Sequence, residues 1–339
     1  MHVIVASNAW KLLPSTLRPD HNSLFNVLLN SRANSTAKTY INEIKKFFVW
    51  CKGRQISIQI PFSAPVVALY SFNLDQELRS PASMVQLVHA TLKWLHSFTP
   101  DDGANPLDNA CCRSMIQCTK RARSLPVSKK KPVDADVVKS IVDRFGAEGA
   151  SLKDLRIAAL SSLGFAGFFR FNELANIQPN HIFFHEDFFK VFVRKSKTDV
   201  YREGNYVYIS KLDSNYCPVT ALRRYIQAAD IDLSSQLPLF RPLTKRKLGY
   251  ALRNGKLSYT RCREIFKDAL KDVGYDPKDY GLHSLRSGGV TSVVSNDRSH
   301  NVSERLLKLH GRWKSDEAKD MYILEPQCSR LRVTKYLEI

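Results

Sequence analysis

Acidic residues are scarce in this 339-residue chain: 32 aspartates and glutamates stand against 51 lysines and arginines, a formal net charge of +19. That imbalance says little about fold, but it concentrates polyanions at the surface and points to nucleic acid or an anionic membrane face as partner. Long apolar runs are missing too. No window approaches the ~18 uninterrupted apolar residues of a spanning helix, so no membrane span is expected. The opening MHVIVASNAWKLLP has no basic flank before its short apolar run and no small-residue cleavage site, which argues against a secretory signal. The seven cysteines lack metal-ligand spacing, and free thiols in a reducing nuclear or cytoplasmic setting are the simplest reading. The nine histidines form no H-E-x-x-H, the carboxylates are not grouped as in two-metal nucleases, and no Walker loop occurs. No metal or other cofactor is therefore expected.

What is present argues for folded domains. The 44% hydrophobic and 10% aromatic content is too high for a basic disordered tail, and the length suffices for two cores. Four helices are expected in the first 125 residues. One runs over 34–53, with Tyr40, Ile44, Phe47 and Phe48 on one face and Gly53 as a stop. Two more start at prolines, over 65–78 and 81–98, and a fourth covers 107–124. The segment 120–134 carries Lys120, Arg121, Arg123, Lys129, Lys130 and Lys131 with no acid until Asp134. Its two prolines disfavour a continuous helix, so residues 126–133 read as a basic linker. As a solvated connection it needs no function. As a path along a DNA backbone it joins Lys38, Lys45 and Lys46 of the first helix as candidate phosphate contacts.

From residue 134 a second domain is expected, with helices over 134–146 and 151–177. Two alternating strands follow, 189–194 and 206–210, forming a hairpin whose loop carries 195–205. Helices resume over 218–229 and 258–274, and the basic interval 237–256 reads as an irregular connection. Near the end a short helix over 316–326 contains Tyr322. One tyrosine among 13 is no signal. Its company changes the reading: Arg170 and Glu173 in RFNEL, Lys195 and Lys197 in the hairpin loop, His283 and Arg286 in HSLRSGG, and Trp313 nine residues before Tyr322.

The chemistry these types suit is phosphoryl transfer. A tyrosine oxygen attacking a phosphodiester builds charge on the nonbridging oxygens, which two guanidinium forks can clamp. A lysine can protonate the leaving 5′ oxygen, and an imidazole can assist proton transfer at the tyrosine. Each residue also has a plainer reading: a solvated hairpin tip for the lysines, a helix cap for His283, a core ring for Trp313, and a structural role for His310.

In this order and spacing, residues 134–326 resemble the tyrosine recombinase and integrase superfamily. The resemblance implies a mainly α fold with a small antiparallel β-sheet, preceded over residues 1–125 by a helical DNA-binding domain. It implies Arg170, Lys197, His283, Arg286, Trp313 and Tyr322 as catalytic positions, with Glu173 holding an arginine or histidine; Lys195 stays open as a substitute for Lys197. The implied activity is cleavage and rejoining of double-stranded DNA at specific sites through a 3′-phosphotyrosyl bond. Energy is kept in that bond, so no ATP is needed. The implied assembly is a homotetramer on two sites, with the tail 327–339 as a docking segment between subunits. The G-R-W-K-S wording is similar to recombinases of eukaryotic mobile elements such as Cryptons. A silent DNA-binding descendant of such an element and a type IB topoisomerase are the competing readings.

Overall fold

Apolar residues three and four apart draw the N-terminal helices onto one aromatic core. The computed structural model describes residues 14, 16, 21–58, 62–98, 105–124, 129–196, 199, 203–247, 249–296, 302–324 and 331. It divides into two compact units, Met1–Val127 and Ser128–Ile339. The first unit holds α1 (His21–Asn30), α2 (Asn34–Gly53), α3 (Ala64–Phe72), α4 (Ala82–His96) and α5 (Ala110–Arg123). Helix α1 was not anticipated. At the centre Phe47 of α2 lies edge-on to Phe62 at 4.8 Å and against Tyr70 of α3 at 4.9 Å. Val85, Val88, Leu92 and Leu95 of α4 bury against this cluster, as their spacing predicts. Asn109 caps α5 by accepting the Cys111 N–H at 2.8 Å.

A π-helical turn over Asn73–Glu77 continues α3 and buries Asp75. Its carboxylate meets Arg123 Nε, in the last turn of α5, at 2.9 Å. Arg123, expected on DNA, is thus the counter-ion of a buried acid. Lys46 pairs with the buried Glu43 at 2.7 Å. Lys38, Lys45, Lys120 and Arg121 are exposed.

In the second unit the expected linker needs correction. Lys131 N–H donates to Asp279 O and Val133 N–H to Ser284 O, both at 2.9 Å, while Lys131 Nζ pairs with Asp279 at 2.6 Å and Lys130 Nζ donates to Lys278 O. Residues 130–133 are therefore laid against 278–284 as part of this unit, because their backbone groups find partners there. Lys129 is exposed. The helices are α6 (Ala135–Phe145), α7 (Leu152–Ala166), α8 (Phe171–Leu174), α9 (Pro218–Ala228), α10 (Tyr259–Asp272), α11 (Leu282–Asn296), α12 (Glu304–Gly311) and α13 (Asp316–Asp320). Helix α7 is buried almost all round, with α6, α9, α10 and α11 packed on it. The single helix expected over 151–177 breaks after Ala166, where Phe168 takes a left-handed conformation (φ 46°) and the chain restarts as α8.

Strands β1 (Ile182–Phe184), β2 (Phe188–Val193) and β3 (Asn205–Ser210) form an antiparallel sheet in that order, with Phe188 opposite Ser210 and Val193 opposite Asn205. Phe189, Val191 and Val193 face the core with Val207 and Ile209, the alternation expected of a half-buried hairpin. The interval 237–256 is not wholly irregular: β4 (Leu243–Arg246) and β5 (Gly249–Leu252) pair in a second hairpin. Helix α11 sits unusually close to its neighbours. A Cβ on Gly288 would fall 2.0 Å from Val133 O, and one on Gly289 2.3 Å from Phe165 O, so the glycine pair lets α11 touch backbone on both sides.

The Arg123–Asp75 pair generates a stability prediction. Arg123→Ala leaves a buried carboxylate without its cation and is expected to cost about 3 kcal/mol. Adding Asp75→Asn removes the stranded charge and restores most of that loss. Urea unfolding, with hydrogen exchange read in α3 and α5, checks both. Unchanged stability with weakened DNA binding would instead return Arg123 to the DNA-facing role.

Candidate active site

Four segments far apart in sequence converge at the reversal after α7. Arg170 is the N-cap residue of α8, and its backbone N–H donates to Glu173 Oε2 at 2.9 Å while its Nη1 donates to Oε1 at 2.8 Å. Glu173 is 3% exposed. Burial pushes its carboxyl upward, but Arg312, the Arg170 N–H and the Arg170 guanidinium together bring it below the ordinary value, so it is ionised.

Arg286, fully buried on α11, donates from Nη1 to Phe168 O and from Nη2 to Gly311 O. Its guanidinium carbon lies 4.3 Å from the Trp313 ring centre and 4.9 Å from that of Tyr322. Burial, with repulsion from Arg170 and Arg312, depresses its pKa, yet a guanidinium keeps its charge at neutral pH. Trp313 and Tyr322 pack at 5.5 Å between ring centres. Both Arg286 Nε and Trp313 Nε1 are buried N–H donors with no acceptor among the described residues. Each can donate to an oxygen brought by a ligand or by water.

The sequence around Trp313 explains its placement. Gly311 ends α12, and a Cβ there would fall 1.8 Å from the Trp313 ring, so only glycine allows the indole to fold back over the helix end. Tyr322 lies beyond α13, which stops at Asp320, and not inside a helix as expected. The turn is pinned by Tyr322 N–H to Lys319 O at 2.9 Å and by Leu324 N–H to Thr291 Oγ1 at 3.1 Å. Lys319 itself is buried, with its Nζ on Glu304 and 3.2 Å from Asp320. These supports were not visible in the sequence, since a lysine inside DEAKD reads as solvated.

His283 is exposed one helical turn before Arg286. His310 packs edge-on to Phe168 at 4.6 Å with Nε2 2.8 Å from Ala166 O, and burial lowers its pKa, so the neutral ring is favoured. Lys197 lies outside the described residues. Lys195 is exposed at the start of the same loop, whose Asp199 carboxylate accepts the N–H groups of Glu203 at 3.0 Å and Gly204 at 2.9 Å. A cavity of about 160 Å³ separates this loop from α12, lined by Val193, Ser196 and Asp199 on one side and by Lys308, Arg312 and Trp313 on the other. The hairpin loop thus borders the tryptophan.

One site residue escaped the sequence reading. Arg312 caps α12 in the left-handed region (φ 57°), and its side chain is 3% exposed. Nη2 donates to Glu173 Oε2 and to Phe168 O, each at 2.8 Å, and Nη1 to His310 O at 2.6 Å and Gly167 O at 3.2 Å. An arginine between Gly311 and Lys314 reads as another surface cation, and nothing in the local pattern announces its burial. Among the described residues no group of three or more His, Cys, Asp or Glu side chains is placed to hold a metal, and no helix is long and apolar enough to cross a membrane.

No family model matches the chain. In sequence it is similar to an integrase/recombinase xerD homolog of Selenomonas ruminantium, 28% identical over 298 residues, which span 87% of this chain and 83% of that protein. In fold it is similar to the XerH site-specific recombinase bound to a palindromic difH substrate (TM-score 0.58, 12% identity, 89% of this chain and 80% of that one). The lambda integrase tetramer bound to a Holliday junction gives a TM-score of 0.54 at 14% identity, over 95% of this chain and 84% of that one. The Tn1549 transposon integrase in complex with circular intermediate DNA gives 0.52 at 12% identity, over 98% and 96%. In sequence the chain is thus similar to an integrase/recombinase homolog, and in fold to solved site-specific recombinases and integrases.

Proposed function

We propose that the chain is a site-specific DNA recombinase that cleaves and rejoins duplex strands through Tyr322. The observation that carries this reading is the stack of Arg286 on Trp313 and Tyr322, with unfilled buried N–H donors beside it and Arg170 held nearby by Glu173. Three guanidiniums, of Arg170, Arg286 and Arg312, surround one carboxylate, a formal excess of two positive charges. A phosphodiester carries one negative charge and gains another as the attacking oxygen bonds, so the excess matches the transition state better than the ground state.

In the proposed reaction Tyr322 Oη bonds to phosphorus and the bond to the 5′ oxygen breaks. A hairpin lysine supplies the proton of the departing 5′ hydroxyl, and His283 assists removal of the tyrosine proton. Reversal by another 5′ hydroxyl reseals the strand. The similar proteins solved on DNA support duplex DNA as substrate and a tetramer as assembly. Within that assembly the first unit binds DNA through exposed lysines such as Lys38 and Lys45, and the tail 327–339, outside the described residues except Leu331, docks on a neighbour. Kinship with eukaryotic mobile elements and a nuclear setting rest on the Gly311–Ser315 wording alone. The bacterial relative supports a cytoplasmic setting instead.

Incubation with a library of nicked duplexes of randomised sequence is expected to yield a detergent-resistant adduct at Tyr322, identified by peptide mass spectrometry. Tyr322→Phe should abolish the adduct and keep DNA binding, because only the hydroxyl is lost. Adducts on another tyrosine defeat the assignment, and DNA binding without any adduct favours the silent DNA-binding descendant.

Lys197→Ala is expected to slow cleavage about 100-fold, a typical loss for a general acid, with little change in binding. A bridging 5′-phosphorothiolate leaves without protonation and should selectively rescue that variant. Equal defects on both substrates contradict the role; preferential rescue of Lys195→Ala moves it two residues upstream.

A further inference from the structure

Arg312 is the cation in the cluster whose two terminal nitrogens are both taken up by protein acceptors. Its fork is spent on one carboxylate and three carbonyls, and its flat face lies 4.9 Å from the Phe169 ring. It also holds its backbone at φ 57°, a left-handed conformation that is strained for a residue other than glycine. Glycine would sit there without strain. An arginine in that position needs a compensating task, and its contacts supply one.

Two of those contacts meet groups that also hold the two arginines proposed to clamp phosphate. Glu173 Oε2 is shared with the Arg170 N–H, and Oε1 takes the Arg170 side chain. Phe168 O is shared with Arg286. Arg312 also follows Gly311, whose carbonyl takes Arg286, and precedes Trp313, whose ring covers it. A shift of Arg312 would therefore move Arg170 and Arg286 relative to each other.

We propose that Arg312 is a positioning residue that neutralises Glu173 and ties it to the Phe168 carbonyl, leaving Arg170 and Arg286 aligned and uncompensated for one phosphate. The idea rests on the recombinase reading. Without Arg312, Glu173 would draw its charge balance from Arg170 and Arg286, and the two cations would meet the phosphate with most of their excess cancelled. The partner class is the phosphodiester of that reading; Arg312 itself does not touch it.

The test uses the full-length chain with Arg312→Gly, Arg312→Lys and the double variant Arg312→Gly with Glu173→Gln. Glycine removes the side chain and relieves the backbone, so a defect cannot be ascribed to strain. Single-turnover cleavage by Arg312→Gly should fall about 100-fold, the scale of a small misplacement at a reacting centre, while DNA affinity stays near that of the unaltered protein. Lysine keeps charge without the fork and should fall between the two. The double variant should recover part of the lost rate, since the stranded carboxylate is gone. Phosphorothiolate should not rescue any of them, because leaving-group protonation is intact.

Cleavage by Arg312→Gly at the normal rate overturns the proposal. So does a parallel loss of melting temperature, binding and cleavage with no gain from Glu173→Gln, which marks a purely structural arginine. A second arm separates this inference from the recombinase reading: thermal stabilisation by inorganic phosphate needs only aligned arginines. If the unaltered protein forms no Tyr322 adduct but is stabilised by phosphate, and Arg312→Gly is not, the recombinase reading fails and the positioning role stands. Equal stabilisation of both proteins, or of neither, overturns the positioning role.

Discussion

The buried carboxylate of Glu173 is the constraint around which the second unit is arranged. An ionised acid removed from water costs several kcal/mol unless hydrogen bonds and opposite charge replace its hydration. Here both oxygens are occupied, one by Arg170 and the other by the Arg170 N–H and Arg312. To reach it, the chain must break α7 at Gly167, turn through Phe168, and bring the end of α12 against that turn. The left-handed residues Phe168 and Arg312 are the two joints of this closure.

The Phe168 carbonyl extends the arrangement to α11. Phe168 lies past the C-cap of α7, and its carbonyl is turned toward the arginines. It accepts from both Arg286 and Arg312 and so ties the two guanidiniums to one backbone oxygen beside Glu173. The close approach allowed by Gly288 and Gly289 is what places Arg286 within reach of it. Backbone geometry and charge balance thus support each other: neither the arginines nor the carbonyl would be satisfied if α11 stood farther off.

Most elements of this fold could be read from periodic apolar residues, and the residues proposed for chemistry from the spacing of RFNEL, HSLRSGG and Trp313 to Tyr322. What escaped was pairing between charges. Arg123 sits in a basic run and reads as DNA-facing, but its acid, Asp75, lies 48 residues earlier on another helix, and only the fold brings them together. Lys131 is matched by Asp279 in the same way. Arg312 is the sharpest case, since its partners are one distant carboxylate and three carbonyls that no side-chain pattern reveals. The β4–β5 hairpin was missed because no residue of LTKR or GYAL is fully buried, so no apolar alternation marks them.

Arg286 and Arg312 lie in the same buried cluster and have their charges balanced differently. Both have rings against their faces, which partly replaces lost hydration through the ring quadrupole. Both give terminal nitrogens to carbonyls. Only Arg312 reaches the carboxylate directly, through an ion pair at 2.8 Å, and its charge is thereby matched. Arg286 has carbonyl dipoles and aromatic faces but no carboxylate bonded to it. Rings and dipoles make its burial tolerable without discharging it. That residual charge, held beside Tyr322, would be relieved by an anion brought against it.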